Sequence, residues 1–252
     1  MSELVGKIAI VTGAGQGVGQ GIALAMAAAG LQVVSAGRTA TKIEDTLRQI
    51  TARGGRGLAV RCDVANPQDL DALVAKTVAY FGGVDVLVNN AYDGGWGPLL
   101  SLSDDDMMRG IQSGPMASFR LMRACHPHMK ARGGGHVINL VTAASERWDS
   151  SNYGAYAIAK QGVRALTRAA ASEWGPDGIR VNSVAPLAMS PALEAWIKND
   201  PGSEAYLKTV PLNRVGDCEI DIGRGVVALL RSDFSYLTGA TIPLDGGQAN
   251  FD

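Results

Sequence analysis

The stretch "TGAGQGVGQG" (residues 12–21) follows an apolar run, "KIAIV" (7–11), and opens a stretch of helical period, "GVGQGIALAMAAAG" (17–30). This order predicts a strand, a glycine turn and a helix, the first unit of an α/β fold. Further apolar runs of strand length are "QVVSA" (32–36), "GLAVRC" (57–62), "VDVLV" (84–88), "HVINLV" (136–141), "IRVNSV" (179–184) and "ATIPL" (240–244). Apolar strands that alternate with helices predict a doubly wound parallel β-sheet of about seven strands, with helices on both faces.

The chain organisation is simple. Because no linker, low-complexity block or longer repeat interrupts the alternation, residues 1–252 are predicted to form a single domain. The longest break in the rhythm is the segment of about residues 187–213, which follows the carboxyl end of a strand. Ligands of open α/β sheets bind beyond those ends, so we expect this segment to be a substrate lid, with a surface ornament as the alternative.

Charge and composition exclude several classes of protein. The chain has 23 basic and 24 acidic residues, which makes nucleic acid an unlikely partner. It has neither a run of about 20 apolar residues nor the pattern of a signal peptide, so we expect a cytoplasmic protein without a membrane partner. Its cysteines (Cys62, Cys125 and Cys218) are scattered, and they suggest neither a disulfide framework nor a metal site.

The glycine turn has the spacing T-G-x-x-x-G-x-G, carried by Thr12, Gly13, Gly17 and Gly19. Glycines allow a tight turn, and they let backbone N–H groups approach a pyrophosphate at the start of a helix, where the helix dipole favours an anion. A glycine-rich turn between any strand and helix is the alternative. The strand-turn-helix context favours a dinucleotide site of the Rossmann-like kind.

The end of the second strand indicates which dinucleotide is bound. An acidic residue there would hydrogen-bond a ribose 2′-hydroxyl and repel a 2′-phosphate, but the sequence places Gly37 at that position and Arg38 after it. A guanidinium suits a phosphate, so NADP(H) is preferred over NAD(H). After the third strand, Asp63 is placed to accept the adenine amino group, and Val64 to cover the adenine ring.

In "SNYGAYAIAK" (151–160), Tyr156 and Lys160 are four residues apart and share a helix face, whereas Tyr153 faces Ala157. An ammonium close to a phenol lowers the pKa of the tyrosine towards values useful for proton transfer. The same pair also occurs on many solvated helices, so its surroundings have to decide.

Together these residues resemble the short-chain dehydrogenase/reductase family over nearly the whole chain. The matching motifs are "TGAGQGVG" (12–19), "CDV" (62–64), "NNA" (89–91), "YAIAK" (156–160), "IRVNSVAP" (179–186) and "YLTGATIPLDGG" (236–247). The resemblance implies an NAD(P)-dependent oxidoreductase in which Tyr156 is the general acid or base, assisted by Lys160. It also implies cofactor contacts from the glycine loop, including Gln16 and Val18, and from Asn90 and Ala91.

The resemblance further implies a second hydroxyl that steadies the substrate oxygen. Thr142 is the aligned residue in "NLVTAASERW" (139–148), and Ser145 is the alternate candidate. A third possibility is that the Thr142 hydroxyl only bonds to backbone and has a structural role. After the sixth strand, Leu187 stands where the family usually has glycine, and Pro191 stands where it usually has threonine. We therefore expect Met189 to present its backbone to the nicotinamide amide, and Ser190 to replace the threonine.

Two further positions depart from the family pattern. Tyr92 stands where "NNAG" would have glycine, and Gly114 stands where an asparagine would support a relay of water and lysine. That relay could run through water, through Ser113, or not at all.

Aromatic and apolar side chains predict the substrate class. Trp96, Trp148, Met189 and Trp196 fall near the expected mouth of the site, which favours a bulky, weakly polar ketone or alcohol, such as a steroid or a 3-oxoacyl compound. Packing under the lid is the alternative. The leading hypothesis is an NADP(H)-dependent carbonyl reductase or alcohol dehydrogenase. The resemblance implies a homotetramer in which two long helices, of about residues 104–131 and 154–175, form the subunit faces. A dinucleotide-binding sensor, scaffold or inactive subunit is the runner-up.

Overall fold

The computed structural model describes residues 3–146, 152–199 and 202–249. Seven strands form one sheet in the order β3-β2-β1-β4-β5-β6-β7, and every paired neighbour is parallel. The strands are β1 (Ile8–Thr12), β2 (Gln32–Gly37), β3 (Arg56–Arg61), β4 (Val86–Asn89), β5 (Gly135–Leu140), β6 (Ile179–Pro186) and β7 (Thr241–Leu244). Each lies within about two residues of its predicted run, so the predicted α/β sheet is confirmed.

Helices connect these strands. Within the described residues they are α1 (Gly17–Ala28), α2 (Ala40–Ala52), α3 (Pro67–Phe81), α4 (Asp104–Ile111), α5 (Ala117–Ala131), α6 (Gly154–Trp174), α7 (Pro191–Asn199), α8 (Ser203–Leu207) and α9 (Arg224–Leu229). No helix in this described part of the chain is long and apolar enough to cross a membrane.

The hydrophobic core lies on both faces of the sheet, as the apolar strands predicted. On one face, Val11 of β1 belongs to a cluster with Ile22 of α1 and Val226 of α9. On the other face, Ile10 of β1 belongs to a cluster with Leu121 of α5. Since successive strand residues point to opposite faces, a strand buried on both sides needs an apolar residue at every position.

The segment of residues 104–131, expected as one long helix, is divided in the structure. A wider, π-type turn (Gln112–Met116) separates α4 from α5 and contains Gly114 and Pro115. Proline has no backbone N–H to donate to the preceding turn, and glycine is a weak helix former, so regular helical bonding is interrupted there. The turn lies beside helix α6, where a Cβ on Gly162 would contact Pro115 at 3.3 Å.

The direction of the connections reverses between β1 and β4, which are neighbours in the sheet although distant in sequence. A crevice opens beyond the carboxyl ends of the strands at such a point, and it is the usual ligand site of open α/β sheets. The glycine turn after β1 and the loop after β4 therefore face each other across one crevice.

Candidate active site

The glycine turn after β1 forms one wall of a first cleft at this crevice, the cofactor cleft. Gly13 and Gly17 have φ angles of +66° and +56°, which residues with a Cβ rarely adopt. A Cβ on Gly13 would lie 2.6 Å from Nδ2 of Asn90, and one on Gly19 would lie 2.5 Å from the same atom. The turn is thus a bare backbone cradle before the N-terminus of α1, and it fits the diphosphate of a dinucleotide.

Asn90 joins the two walls of the cofactor cleft. Its Nδ2 donates to the carbonyl oxygens of Thr12 (2.9 Å) and Gly13 (3.3 Å), while its backbone N–H donates to Oγ1 of Thr12 at 3.0 Å. The N–H of Ala91 donates to the same hydroxyl at 3.1 Å. The side chain of Asn90 therefore holds the loops after β1 and β4 together, and both Asn90 and Ala91 line the cleft as predicted.

The far end of the cofactor cleft is basic. Arg38 and Lys42 line it, and Nη1 of Arg38 forms an ion pair with Oδ2 of Asp93 across the cleft at 2.6 Å. The ammonium of Lys42 donates to the side-chain oxygen of Gln16. Sequence reasoning identified Arg38 but missed Lys42 and Asp93. Lys42 could have been found as a basic residue in the first turn of the helix after β2.

Other predicted cofactor residues also line this cleft. They are Gln16, Val18, Asp63 and Val64. Oδ1 of Asp63 accepts the backbone N–H of Ala65 at 3.0 Å, which fixes the carboxylate at the start of the loop that follows β3.

The catalytic candidates lie together at the floor of a second cleft, the substrate cleft, of about 530 Å³. Tyr156 and Lys160 come from α6, and Thr142 follows β5; the Thr142 side chain lowers the pKa of Tyr156. Oγ of Ser145 instead donates to the Thr142 carbonyl at 2.8 Å, and its hydroxyl is turned to the backbone. Oγ1 of Thr142 also accepts a backbone N–H, that of Ala144, at 3.2 Å, but Thr142 lines the cleft whereas Ser145 does not, so the geometry favours Thr142 as the second hydroxyl.

The pKa of Tyr156 differs from the sequence expectation. Burial raises it to about 12, and this effect outweighs the hydrogen bond from Thr142, which lowers it. The ammonium of Lys160 donates to the Leu140 carbonyl at 2.7 Å and lies 5.6 Å from the centre of the Tyr156 ring. Lys160 is only 3% exposed, and burial lowers its own pKa to about 8. The expected lowering of the tyrosine pKa is thus wrong for this state, since desolvation dominates.

Aromatic rings surround Tyr156 in the substrate cleft. Trp96 packs 4.7 Å from Tyr156 and 5.3 Å from Tyr153, measured between ring centres. Trp196 of α7 contacts Tyr206 of α8 edge-on, with ring centres 5.2 Å apart. Trp96 and Trp196 line the cleft as predicted, and sequence reasoning missed the lining residues Tyr153 and Tyr206. Trp148 lies outside the described residues.

The segment of residues 187–213 contributes α7 and α8 to this wall. The hydroxyl of Tyr206 donates to Oε1 of Gln248 at 3.0 Å, and Nε2 of Gln248 donates to Oγ1 of Thr209 at 3.0 Å. Residues near the carboxyl end of the described chain therefore brace the segment that was expected to be the lid.

The backbone of Met189, which was expected to contact the nicotinamide amide, forms bonds within the free protein. Its N–H donates to the Gly216 carbonyl at 2.8 Å, its own carbonyl accepts from Sγ of Cys218 at 3.5 Å, and its side chain is exposed. Neither cleft includes Met189, whereas its neighbour Ser190 lines both of them. Ser190 also contacts the glycine turn, because a Cβ on Gly17 would lie 3.2 Å from its Cβ.

Comparisons with known proteins agree with this architecture along the chain. A family model described as enoyl-(acyl carrier protein) reductase matches residues 13–249. The chain is 41% identical over 254 residues to a 12α-hydroxysteroid dehydrogenase from a Clostridium species, with 96% of each protein covered. It is 33% identical over 246 residues to the 7α-hydroxysteroid dehydrogenase of Escherichia coli K12, which covers 97% of this chain and 95% of the relative.

A solved structure gives the same result in three dimensions. A 7α-hydroxysteroid dehydrogenase complexed with NADH and 7-oxo glycochenodeoxycholic acid superposes with a TM-score of 0.92 at 33% identity. The match covers 98% of this chain and 96% of that one.

Proposed function

Because this chain belongs to the short-chain dehydrogenase/reductase family of NAD(P)-dependent oxidoreductases, we propose that it interconverts a ketone and a secondary alcohol on a bulky, weakly polar substrate of steroid-like shape. We further propose that NADP(H) is its preferred cofactor. One observation carries the proposal: Tyr156, Lys160 and Thr142 line one aromatic cleft, which shares lining residues with the glycine-walled cofactor cleft.

The roles of the side chains follow from where charge develops. When bound, the nicotinamide supplies a hydride to the carbonyl carbon in reduction and accepts one in oxidation. In reduction, Tyr156 donates its phenolic proton to the carbonyl oxygen as negative charge grows there, and Thr142 steadies that oxygen by a hydrogen bond. Burial keeps Tyr156 protonated near neutral pH, since its pKa is raised to about 12. Lys160 holds its ammonium beside the tyrosine ring.

The preference for NADP(H) rests on the basic end of the cofactor cleft. Arg38 and Lys42 both line it, and Gly37 carries no carboxylate that would repel a 2′-phosphate. In the free protein Asp93 pairs with Arg38, so a 2′-phosphate must compete with that carboxylate for the guanidinium. Asp93 thereby tempers the preference without reversing it, because Lys42 remains on the same wall.

The substrate class rests on the shape and chemistry of the second cleft. Its volume of about 530 Å³ is typical of sites for small organic molecules. Flat rings from Trp96 and Trp196 line it, and they complement a rigid, apolar ring system better than a sugar or a charged chain. Two similar proteins are hydroxysteroid dehydrogenases by name, which supports the same class.

A homotetramer is proposed for the assembly. The helices expected as subunit faces carry exposed apolar side chains: Met108 on α4, Phe119 on α5 and Ile158 on α6, each at least 40% exposed. Apolar side chains spread over adjacent helices favour burial against another copy of the chain. Light scattering at micromolar concentration tests this, and a monomer there would contradict it.

The test of the function is a nucleotide titration followed by an assay in the same sample. Tryptophan quenching by NADPH and by NADH gives the two dissociation constants, and dehydrocholic acid, a steroid with three ketone groups, is then added while nicotinamide absorbance is read. We expect tighter binding of NADPH and oxidation of NADPH by the steroid. Tight binding without turnover of this steroid or of simple cyclic ketones would instead support the sensor hypothesis.

A further inference from the structure

The two positions that depart from the family pattern, Tyr92 and Gly114, meet in the structure. A Cβ built on Gly114 would lie 3.7 Å and 3.8 Å from Cδ2 and Cε2 of Tyr92. The ring of Tyr92 thus lies against the bare face of the turn between α4 and α5. A larger side chain at residue 114 that pointed towards α6 would have to share this space with the ring.

Two further glycines complete a socket for Tyr92. A Cβ on Gly110 would lie 2.8 Å from the Tyr92 hydroxyl, and a Cβ on Gly94 would overlap that hydroxyl. The hydroxyl oxygen is buried and has no hydrogen-bond partner among the described residues. A buried polar atom without a partner adds no stability through bonding, so it is the shape of the ring that the socket accommodates.

The ring of Tyr92 contacts both catalytic side chains of α6. The Lys160 ammonium lies 5.3 Å from the ring centre, within the range of a cation–π contact, and the Tyr156 ring packs edge-on with centres 4.9 Å apart. The ammonium also donates to the Leu140 carbonyl. Lys160 is therefore held between a carbonyl oxygen and an aromatic ring.

Ser113 fixes the loop that carries Tyr92. Its Oγ lies 2.6 Å from the carbonyl oxygen of Asp93 and accepts the N–H of Asp93 at 3.0 Å. The same oxygen lies 2.9 Å from the Arg109 carbonyl. The hydroxyl of Ser113 is thus committed to the backbone next to Tyr92, and the geometry does not support the proton route through Ser113.

We propose that Tyr92 is a positioning residue for Lys160 and Tyr156, and that Tyr92 and Gly114 form a matched pair in which an aromatic ring from the loop after β4 replaces the side chain usual on the helix. This inference rests on the proposed function. It implies that Gly114 is no defect in the site, because restoring asparagine there without removing the ring would disturb Lys160.

The test compares Tyr92→Phe, Tyr92→Gly, Gly114→Asn and the double variant Tyr92→Gly/Gly114→Asn. Steady-state reduction of dehydrocholic acid gives kcat and KM, and quenching gives the dissociation constant of NADPH. Because the hydroxyl has no bonding role, we expect Tyr92→Phe to keep kcat within about threefold. Tyr92→Gly and Gly114→Asn should each lower kcat by about tenfold or more while NADPH binding changes little.

The double variant decides whether the two positions are coupled. If the two positions are matched, kcat of the double variant should lie well above the value obtained by multiplying the effects of the two single variants. Losses that multiply, or an unchanged kcat in Tyr92→Gly, would overturn the proposal. Gly175→Ala is the control, since a Cβ there meets no atom within 4 Å. A fall in the unfolding temperature of Tyr92→Gly with full kcat would mean that the ring is only packing.

A measurement without turnover separates this inference from the proposed function. Tyrosines labelled with ¹³C at Cζ are titrated by NMR in the free protein, and the Tyr156 signal is assigned by its loss in Tyr156→Phe. The groups that face Tyr156 are Thr142 after β5, Tyr92 after β4, Tyr153, and Lys160 on α6.

Removing the Tyr92 ring admits water, so the Tyr156 pKa should fall from about 12 in Tyr92→Gly; in Tyr92→Phe it should fall less, because only the Tyr92 hydroxyl, which raises this pKa, is lost. An unchanged pKa in Tyr92→Gly would refute the positioning role even in a protein without activity. If the wild type is inactive and the Tyr156 pKa still falls in Tyr92→Gly, only the proposed reaction is refuted.

Discussion

The two clefts at the carboxyl edge of the sheet are built in opposite ways. Backbone and glycines form the diphosphate end of the cofactor cleft, where Gly13 and Gly19 leave room that a Cβ would fill. Aromatic side chains from separate loops and helices form the substrate cleft, as Trp96 and Trp196 show. We therefore expect the cofactor cleft to lose affinity when side-chain atoms are added to its glycines, and the substrate cleft to lose turnover when functional groups are removed from its side chains. Substitutions can test each half of this contrast separately.

The largest effect should come from Tyr156→Phe. Loss of the proton donor is expected to lower kcat by about 10²- to 10⁴-fold, while the dissociation constant of NADPH stays within a small factor because the ring is retained. Stopped-flow or steady-state reduction of dehydrocholic acid, together with quenching, measures both quantities. Tyr153→Phe is the matched control in the same cleft, and it should keep most of the turnover. Equal kcat in the two variants would remove Tyr156 from the mechanism.

Gly19→Ala should produce the converse failure. Its Cβ would lie 2.5 Å from Nδ2 of Asn90, so the turn has to move at a cost of about 1–3 kcal/mol in the free energy of unfolding. We expect NADPH affinity to fall by about tenfold or more, since the cradle would be displaced. Calorimetry and urea unfolding measure the two changes. Gly175→Ala should change neither, and equal behaviour of the two variants would contradict the close-packed cradle.

Lys160→Met should remove the pH dependence that Lys160 gives to the stability of the folded protein. The pKa of Lys160 is lowered by burial from 10.5 to about 8, so below pH 8 the folded state bears the full cost of a buried ammonium. Between pH 8 and 10.5 the unfolded chain binds more protons than the folded one, so wild-type stability from this group rises with pH.

The free energy of unfolding of Lys160→Met, relative to that of the wild type, should thus be highest at pH 7 and fall by about 2–3 kcal/mol by pH 10. Urea unfolding across this range measures it. Exposed Lys76 of α3, replaced in the same way, gives the background change. A stability of Lys160→Met, relative to the wild type, that increases with pH would contradict the burial of the charge.

The smallest effects should appear at the basic end of the cofactor cleft. Arg38→Ala is expected to weaken NADPH by about tenfold and NADH little, because a charged hydrogen bond to the 2′-phosphate is lost. Asp93→Asn should tighten NADPH by about two- to fivefold, since it frees Arg38 from an exposed ion pair. Parallel titrations with both nucleotides measure these changes. Equal weakening of NADPH and NADH in Arg38→Ala would show that the cleft is not built for a 2′-phosphate.

The parts of the molecule that sequence predicted well are those decided by local physics. Strand positions follow from uninterrupted apolar runs. The tight turn follows from glycines at positions 13 and 17, where the chain adopts positive φ angles. The approach of Tyr156 and Lys160 follows from helical spacing, whereas the choice of Thr142 came from the resemblance to the family.

The remaining features depend on neighbours that are distant in sequence. The spacing of Tyr156 and Lys160 could not reveal that burial would raise the tyrosine pKa, nor that Lys160 would donate to Leu140. The fit of Tyr92 into the space beside Gly114 joins residues that are 22 positions apart in the sequence. The backbone bonds of Met189 to Gly216 and Cys218 also join residues that no local pattern brings together.

The hydrogen bonds from Asn90 to Thr12 and Gly13 have a kinetic consequence. They order the loops after β1 and β4 during folding, so the diphosphate of an arriving nucleotide meets a frame whose conformational entropy has already been lost. Association at this end resembles docking onto a rigid body, and the rearrangement that remains is the separation of Arg38 from Asp93. The association rate constant of NADPH should therefore respond to this ion pair, while its dissociation rate constant reflects the contacts made afterwards.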